Sequence, residues 1–316
     1  MSELLWRKRL AVVAVEAEYG VAPDPATATI LEVVMLDAGN PYAGNTVERE
    51  RMRYGFGNFA QINTGPNVTR QIRLPFSGSG TPGVPPAYSP LLRACALSET
   101  INAEAETPSV TYAPVSENMD SVTIWWYEDG QVQEITGARG TLEIGADAAS
   151  MPYWQISLTG LYKRPKLAPT VQGQESTVAG EIPINKQNTE FSMFEFAARM
   201  SAFSLTLGNE VNYRNLVNHE SVNSTDRRAS SNITIDAPSL GELDVFAKVE
   251  SHEVVTLGEV ELIQGRVPGN IITVQGLHVQ ASTITPSDSQ GVMSYGMELR
   301  YLPTGSDDND VAFIFT

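Results

Sequence analysis

Short runs in which apolar and polar residues alternate, each ended by Gly, Pro, Asn or Asp, recur along almost the whole chain. In residues 230–238, Ile233 and Ile235 alternate with Asn232, Thr234 and Asp236 until a proline stops the run. Successive side chains of a strand point to opposite faces, so a period of two builds a ribbon with one apolar side that must be covered. Comparable runs in the first half are LEVVMLD, NVTRQIRLPF, SVTYAPV, SVTIWWYE, QVQEITGA, TLEIGA and YWQISLTGLY. The second half adds AFSLTLGNEVNY, EVVTLGEVELI, NIITVQGLHVQA and MSYGMELRYLP. Apolar residues take helical spacing in two places, residues 89–97 and 240–249. The expected fold is mainly β with one short helix per half.

The order of elements repeats. Each half begins with a strand and passes through a polar stretch carrying arginines, Arg49, Arg51 and Arg53 in the first and Arg227 and Arg228 in the second. An alternating strand, the short helix and a strand pair follow, and each half closes on a Met-x-Tyr strand containing Tyr153 or Tyr295. Between them, KRPKLAPTVQGQESTVAGEIPINKQNT breaks every period with proline, glycine and polar residues. A chain of 316 residues exceeds the usual single domain. The expected division is an N-terminal segment or arm over residues 1–30, β-sandwiches over 31–165 and 191–316, and a linker or long loop over 166–190. Element order alone does not separate a duplicated unit from two unrelated sandwiches.

Thirty-seven acidic residues against 21 Lys and Arg give a net charge of −16. That balance argues against tight binding of nucleic acid, which requires cations to neutralise phosphates, and is compatible with a surface that nucleic acid passes without sticking. It also serves plain solubility. Cys95, the single cysteine, sits in an apolar run as a small core residue and cannot form an internal disulfide. No apolar run approaches a membrane span. The N-terminus faintly resembles a signal peptide, but Glu3, Glu16 and Glu18 flank its apolar stretch and no small-residue cleavage pattern closes it.

Sites for chemistry are not legible. Gly78, Gly80 and Gly83 satisfy a G-x-G-x-x-G spacing, yet Pro82, Pro85 and Pro86 intrude and no parallel βαβ unit follows, so a flexible, projecting loop is expected rather than a dinucleotide site. His219, His252 and His278 lack metal-ligand spacing, and Asp307, Asp308 and Asp310 lack the glycine and distal glutamate of a calcium loop. No enzyme activity, cofactor or metal is expected. In SVTIWWYEDGQVQEI the adjacent Trp125 and Trp126 point to opposite faces of a strand ahead of a hairpin turn at Asp129 and Gly130. One fills the core; the other packs on a two-sided sheet or meets a neighbouring subunit.

The segments LLWRKRLAVVAVEAEYGVAPDP, NTVERERMRYGFGN, PAYSPLLRACALSET, YAPVSENMDSVTIWWYEDGQVQEITGARGTLEI, FSLTLGNEVNYRNLVNHESVNSTDRRASSNITIDAP and MELRYLP together resemble the major tail tube proteins of long-tailed bacteriophages. The likeness is nearest to the two-domain subunits of non-contractile, siphovirus-type tails. It implies two tail-tube-type β-sandwich domains, each flanked by a short helix, with three chains supplying the six domains of a ring. It implies stacked rings whose acidic lumen conducts double-stranded DNA into the host without specific binding. Partners implied are further copies of the chain, a tape measure protein in the lumen during assembly, and tail terminator and distal tail proteins at the ends. The location implied is the virion tail, assembled in the host bacterial cytoplasm, with no membrane partner. If each domain gives four strands to the wall, the ring has about 24 strands and a backbone diameter on the order of 45 Å, wide enough for a duplex.

On that reading Glu143, Asp236 and Glu298 are candidate lumen-facing carboxylates. Candidate inter-subunit contacts are Arg49, Arg51, Arg53, Arg227, Arg228, Trp125 and Trp126, with the loop at Gly78, Gly80 and Gly83 and the N-terminal segment reaching between rings. A contractile-tail tube is a near neighbour, and a monomeric β-sandwich binding module, such as a virion adhesin or capsid decoration protein, is the alternative.

Overall fold

The computed structural model describes residues 3–176, 178–250, 252, 255–305 and 308–316, with residues 36–38 described by backbone alone; Asp307 lies outside the described residues. Strands dominate, and the two α-helices are single short segments, Ser89–Ala94 and Val245–Val249. The first helix buries Leu91 and Leu92 and ends where Ala96 turns to a φ of 59°. The second starts later than its apolar spacing predicts, because the Asp244 side chain accepts from the Ala247 N–H at 3.0 Å and caps it there. Leu240 is left exposed in the turn before it.

Eight strands form one continuous antiparallel array. In spatial order they are Met35–Ala43, Asn67–Pro75, Tyr153–Leu161, Gln131–Gly145, Met200–Thr206, Ser230–Asp236, Val292–Tyr301 and Thr285–Ser289. The first four come from the first half of the chain and the last four from the second. In each set the chain lays down its first and second strands side by side, then places its fourth against the second and its third outside the fourth. Each set also carries a hairpin between its first two strands, Thr46–Glu48 with Gln61–Asn63 and Asn209–Leu216 with His219–Arg227. The sets meet where Glu143, Ile144 and Gly145 pair with Thr206, Leu205 and Ser204.

Gln131–Gly145 is shared between two layers. Its first part pairs with Val122–Glu128 and its last part with Tyr153–Leu161, the change falling at a bulge between residues 135 and 139. Gly137 sits there at a φ of 59°, and a side chain on it would stand 2.7 Å from the Tyr19 hydroxyl. The buried Glu16 carboxylate holds this bend, accepting from Gly137 N and Thr123 Oγ1 at 2.7 Å, Ser121 Oγ at 2.6 Å and Gly20 N at 2.7 Å. A buried carboxylate is tolerated because so many donors replace its water.

The apolar face of the array is covered by a second layer. In the first half, Arg9–Val15 lies along Val122–Glu128. In the second, Gly258–Gln264, Ile272–Ala281 and Ala312–Phe315 form the cover, and the hairpin Leu97–Asn102 with Ser109–Pro114 crosses from the first half to extend it through the C-terminal strand. Trp154 lies at the heart of the packing, stacked on Phe76 at 4.5 Å and edge-on to Phe313 at 5.4 Å, with its indole N–H donating to the Tyr88 hydroxyl. Side chains of both halves share this core.

Two expectations need correction. The N-terminal segment is no free arm over residues 9–15: Ala11, Val12 and Val13 are buried, since a run apolar on both faces is stable only when covered on both. The loop around Gly78 does not project freely either. Gly78 N donates to Asn270 Oδ1 at 2.8 Å, Gly80 N donates to Gly269 O at 2.9 Å, and a methyl on Gly78 would run into the Gly269 carbonyl.

Candidate functional site

The array presents one apolar face to the core and one polar face to solvent. Cross-strand partners share a face, so the register traces a row across six strands: Arg73, Gln155, Glu143, Thr206, Ser230 and Arg300. Asn232 pairs with Glu298, and Asp236 lies on the same face because it alternates with Ile233 and Ile235, which are buried. Glu143, Asp236 and Glu298 therefore stand together on one side of one sheet. Most of their neighbours there are hydroxyl and amide side chains such as Thr69, Gln71, Ser157, Thr141 and Thr234.

This face is less acidic than the net charge suggests. Arg73 donates to Gln155 at 2.9 Å, and Gln155 donates to Glu143 at 3.2 Å. Arg300 and Glu298 approach to 3.7 Å. The wall is thus polar with interleaved charges, and much of the acidity lies elsewhere on the chain.

The two ends of the array differ. Strand directions place both inserted hairpins at one end, following Ala43 and Thr206. Arg49, Arg51 and Arg53 lie on the first hairpin and are exposed. Arg53 donates to Asn58 O at 3.2 Å and its guanidinium lies 4.9 Å from the Phe59 ring centroid. The second hairpin leans over neighbouring strand ends, where the Tyr19 hydroxyl accepts from Val222 N at 2.6 Å and Arg139 donates to Val222 O at 3.0 Å. The opposite end carries two clefts. One of about 530 Å³ borders Glu32, Val34, Pro75 and Met151, and one of about 570 Å³ borders Ile184, Lys186, Phe191, Arg199 and Met200.

Other residues expected at contacts are committed internally. Arg227 grips Asp310 with two hydrogen bonds of 3.1 Å and reaches Asp308 at 3.2 Å, tying the second hairpin to the C-terminal segment. Burial pushes the Asp308 carboxyl up, but hydrogen bonds from Ser116 and Arg227 outweigh it, and the group lies below its ordinary range. Arg228, by contrast, is exposed and pairs with Asp226 at 2.9 Å. Trp125 and Trp126 are both buried, so neither is left bare for another subunit. Trp126 is in the core under the Arg70 guanidinium at 4.5 Å, while Trp125 packs with Val12, Ala28 and Val132, and with Ala22 and Ala168 from the flanking segments. The chain covers its own second face. Gly78 and Gly83 are buried and Gly80 is exposed.

A doubled β-unit with a long polar wall, and with its arginines and buried carboxylate largely spent on internal ties, has the make-up of a structural protein. The family model for phage tail tube proteins matches residues 6–300, and the chain belongs to that family: a non-enzymatic structural component of the virion tail that self-assembles into a tube with other tail proteins. No curated protein in the comparison matches the chain. Membership sets aside the reading as a monomeric binding module. No helix among the described residues is long and apolar enough to cross a membrane.

Proposed function

We propose that three copies close into a ring, that rings stack into the tube of a non-contractile, siphovirus-type tail, and that the bore conducts double-stranded DNA. The observation that carries this reading is the eight-stranded array with both edges open. Among the described residues Met35–Ala43 and Thr285–Ser289 each pair with one neighbour, and in an alternating array of eight strands these two edges run in opposite directions. Copies placed edge to edge then extend one antiparallel sheet, and three of them close a wall of three times eight, or 24, strands. At about 4.8 Å between strands and roughly 40° of tilt the backbone diameter is on the order of 45 Å. Closure also removes edges that would otherwise template aggregation.

On this reading the repeated halves are the units 31–165 and 191–316 joined by 166–190, and together they give the ring its pseudo-hexameric character. The polar face lines the bore. Its carboxylates Glu143, Asp236 and Glu298 are interleaved with Arg73 and Arg300, so a polyanion meets hydroxyls, amides and near-balanced charge, with little to hold it. The tape measure protein occupies the same bore during assembly in the host cytoplasm, and terminator and distal tail proteins cover the open ends. Electron microscopy of the purified protein tests the reading: stacked hollow rings of uniform width are expected, and dispersed particles at high concentration would refute it.

A further inference from the structure

The joint between the two halves of the chain is a template for a joint between copies. Where the halves meet, Ala146 N donates to Phe203 O at 2.8 Å and Phe203 N donates to Ala146 O at 3.2 Å, continuing the pairing of residues 143–145 with 204–206. The strand sets of the two halves match residue by residue. Buried Ile72 lies between Leu36 and Ile156, and buried Ile233 lies between Phe203 and Met297. Matching Ile72 to Ile233 also aligns the ends of their strands, Pro75 with Asp236. Leu36 then corresponds to Phe203. Two residues before Ile156 and Met297 stand Trp154 and Tyr295, which pair with Ile144 and Pro286. Ala146, two residues past Ile144, therefore corresponds to Asp288.

The backbone groups left free on the two edges agree with that correspondence. Gln290 and Gly291, with φ of 55° and 87°, make the two-residue turn between Thr285–Ser289 and Val292–Tyr301. In such a hairpin the pair flanking the turn, Ser289 and Val292, is hydrogen-bonded, and the next pair, Asp288 and Met293, is open. Met293 O accordingly accepts from Ala237 N on its other side. Asp288 thus turns its N–H and C=O to the open edge, while Pro286, the other outward position within the strand, has no N–H to give. On the opposite edge, bonded and open pairs alternate outward from Leu207 N, which donates to Leu142 O at 3.0 Å. Counted through Ile156 and Ile72, the alternation leaves the Leu36 pair with Ile72 open and the Leu36 N–H and C=O outward.

We propose that the edges of neighbouring copies pair with Asp288 of one opposite Leu36 of the next, joined by two backbone hydrogen bonds, with Ser287 opposite Asp37 and Ser289 opposite Met35. A slip of one residue would set polar-face positions opposite apolar-face positions and turn the bonding groups away from each other. A slip of two sets Leu36 opposite Pro286, which loses a donor, or opposite Gln290 in the turn. In the proposed register the joint between copies repeats the joint between halves, so the six units of the ring meet alike. The inference rests on the edge-to-edge closure proposed above and fixes its register.

Cysteine pairs in the full chain test it. In the proposed register Met35 and Ser289 of neighbouring copies form an open pair, with Cα atoms about 4.5 Å apart and within reach of a disulfide, whereas diagonal positions two residues off are about 8 Å apart and out of reach. Oxidised tubes of Met35→Cys with Ser289→Cys are expected to yield at least about tenfold more covalent trimer than tubes of Met35→Cys with Ser287→Cys or of Asp37→Cys with Ser289→Cys, the native Cys95 being buried. In wild type, the Asp288 and Leu36 amides are expected to exchange with deuterium at least about a hundredfold more slowly in tubes than in the free subunit. Linkage of a shifted pair instead, or no linkage while both amides are protected in tubes, would overturn the register and leave edge-to-edge closure standing. Equal exchange of both amides in tubes and free subunit, or absence of wild-type tubes, would overturn the closure and the register with it.

Discussion

Replacing Glu16 by alanine should destabilise the free subunit sharply although the residue lies on neither open edge of the array. Its carboxylate accepts four hydrogen bonds, and the donors differ in what they can do without it. The hydroxyls of Ser121 and Thr123 can rotate toward other acceptors. The N–H groups of Gly20 and Gly137 cannot; an orphaned donor costs about 1–3 kcal/mol when buried, as at Gly137, and less where water reaches it, as at half-buried Gly20. Taking about 2 kcal/mol for Gly137 and about 1 kcal/mol for Gly20 gives a loss of roughly 3 kcal/mol. Unfolding entropy of about 2 cal/mol/K per residue over the 316 residues is about 0.7 kcal/mol/K, so the midpoint should fall by about 4 °C. Glu16→Gln tests the mechanism more finely. Its single carbonyl oxygen still serves Thr123 and Gly137, and the Ser121 hydroxyl can reverse to accept from the new amide, but the Gly20 N–H then faces another donor. About a third of the loss, roughly 1 kcal/mol, is expected. Thermal unfolding followed by circular dichroism at a concentration where the protein is not polymerised reads both. An alanine variant within about 0.5 kcal/mol of wild type would refute the reasoning that this carboxylate holds the bulge.

Trp154→Ala, by emptying the shared core, should cost about 3–5 kcal/mol and lower the thermal midpoint correspondingly. The Cys95 thiol, fully buried and with its pKa pushed up by that burial, should resist thiol reagents in the native subunit and react at a rate that tracks unfolding; rapid native labelling would contradict its placement. The Asp308 carboxyl is depressed in the folded state, so its contribution to stability should be complete above about pH 4 and disappear as pH falls through its folded value. Asp308→Asn should flatten that part of the acid profile, and an unchanged profile would show that the carboxyl does not contribute.

What the sequence made legible was what depends on local period. Alternation at Ile233 and Ile235 placed a strand with an apolar and a polar side, and the structure puts Asn232, Thr234 and Asp236 on the polar side. The repeated element order was readable because each half repeats the same local signals. Pairing partners were not. Nothing in the local pattern says that the hairpin Leu97–Asn102 with Ser109–Pro114 crosses to the C-terminal strand, since that contact depends on which edge is free after the rest has folded. The fates of Trp125 and of residues 9–15 were hidden for the same reason: a two-sided strand looks alike whether its second cover is another chain or its own. Arg227 was legible as a cation and not as an internal tie, because Asp310 lies 83 residues away in sequence. The first hairpin's arginines were readable as exposed charge; the full exposure of Met52, Tyr54 and Phe56 beside them was not, because apolar residues in sequence give no sign of what packs on them.

A reconstruction of the assembled tube by cryo-electron microscopy, at a resolution that traces the backbone, tests the proposed assembly most directly. The expected result is a ring of three chains whose wall is a single antiparallel sheet, with Met35–Ala43 of one chain hydrogen-bonded to Thr285–Ser289 of the next and with Glu143, Asp236 and Glu298 facing the bore. Rings of six chains, edges that remain apart, or a bore lined by the opposite layer would contradict it.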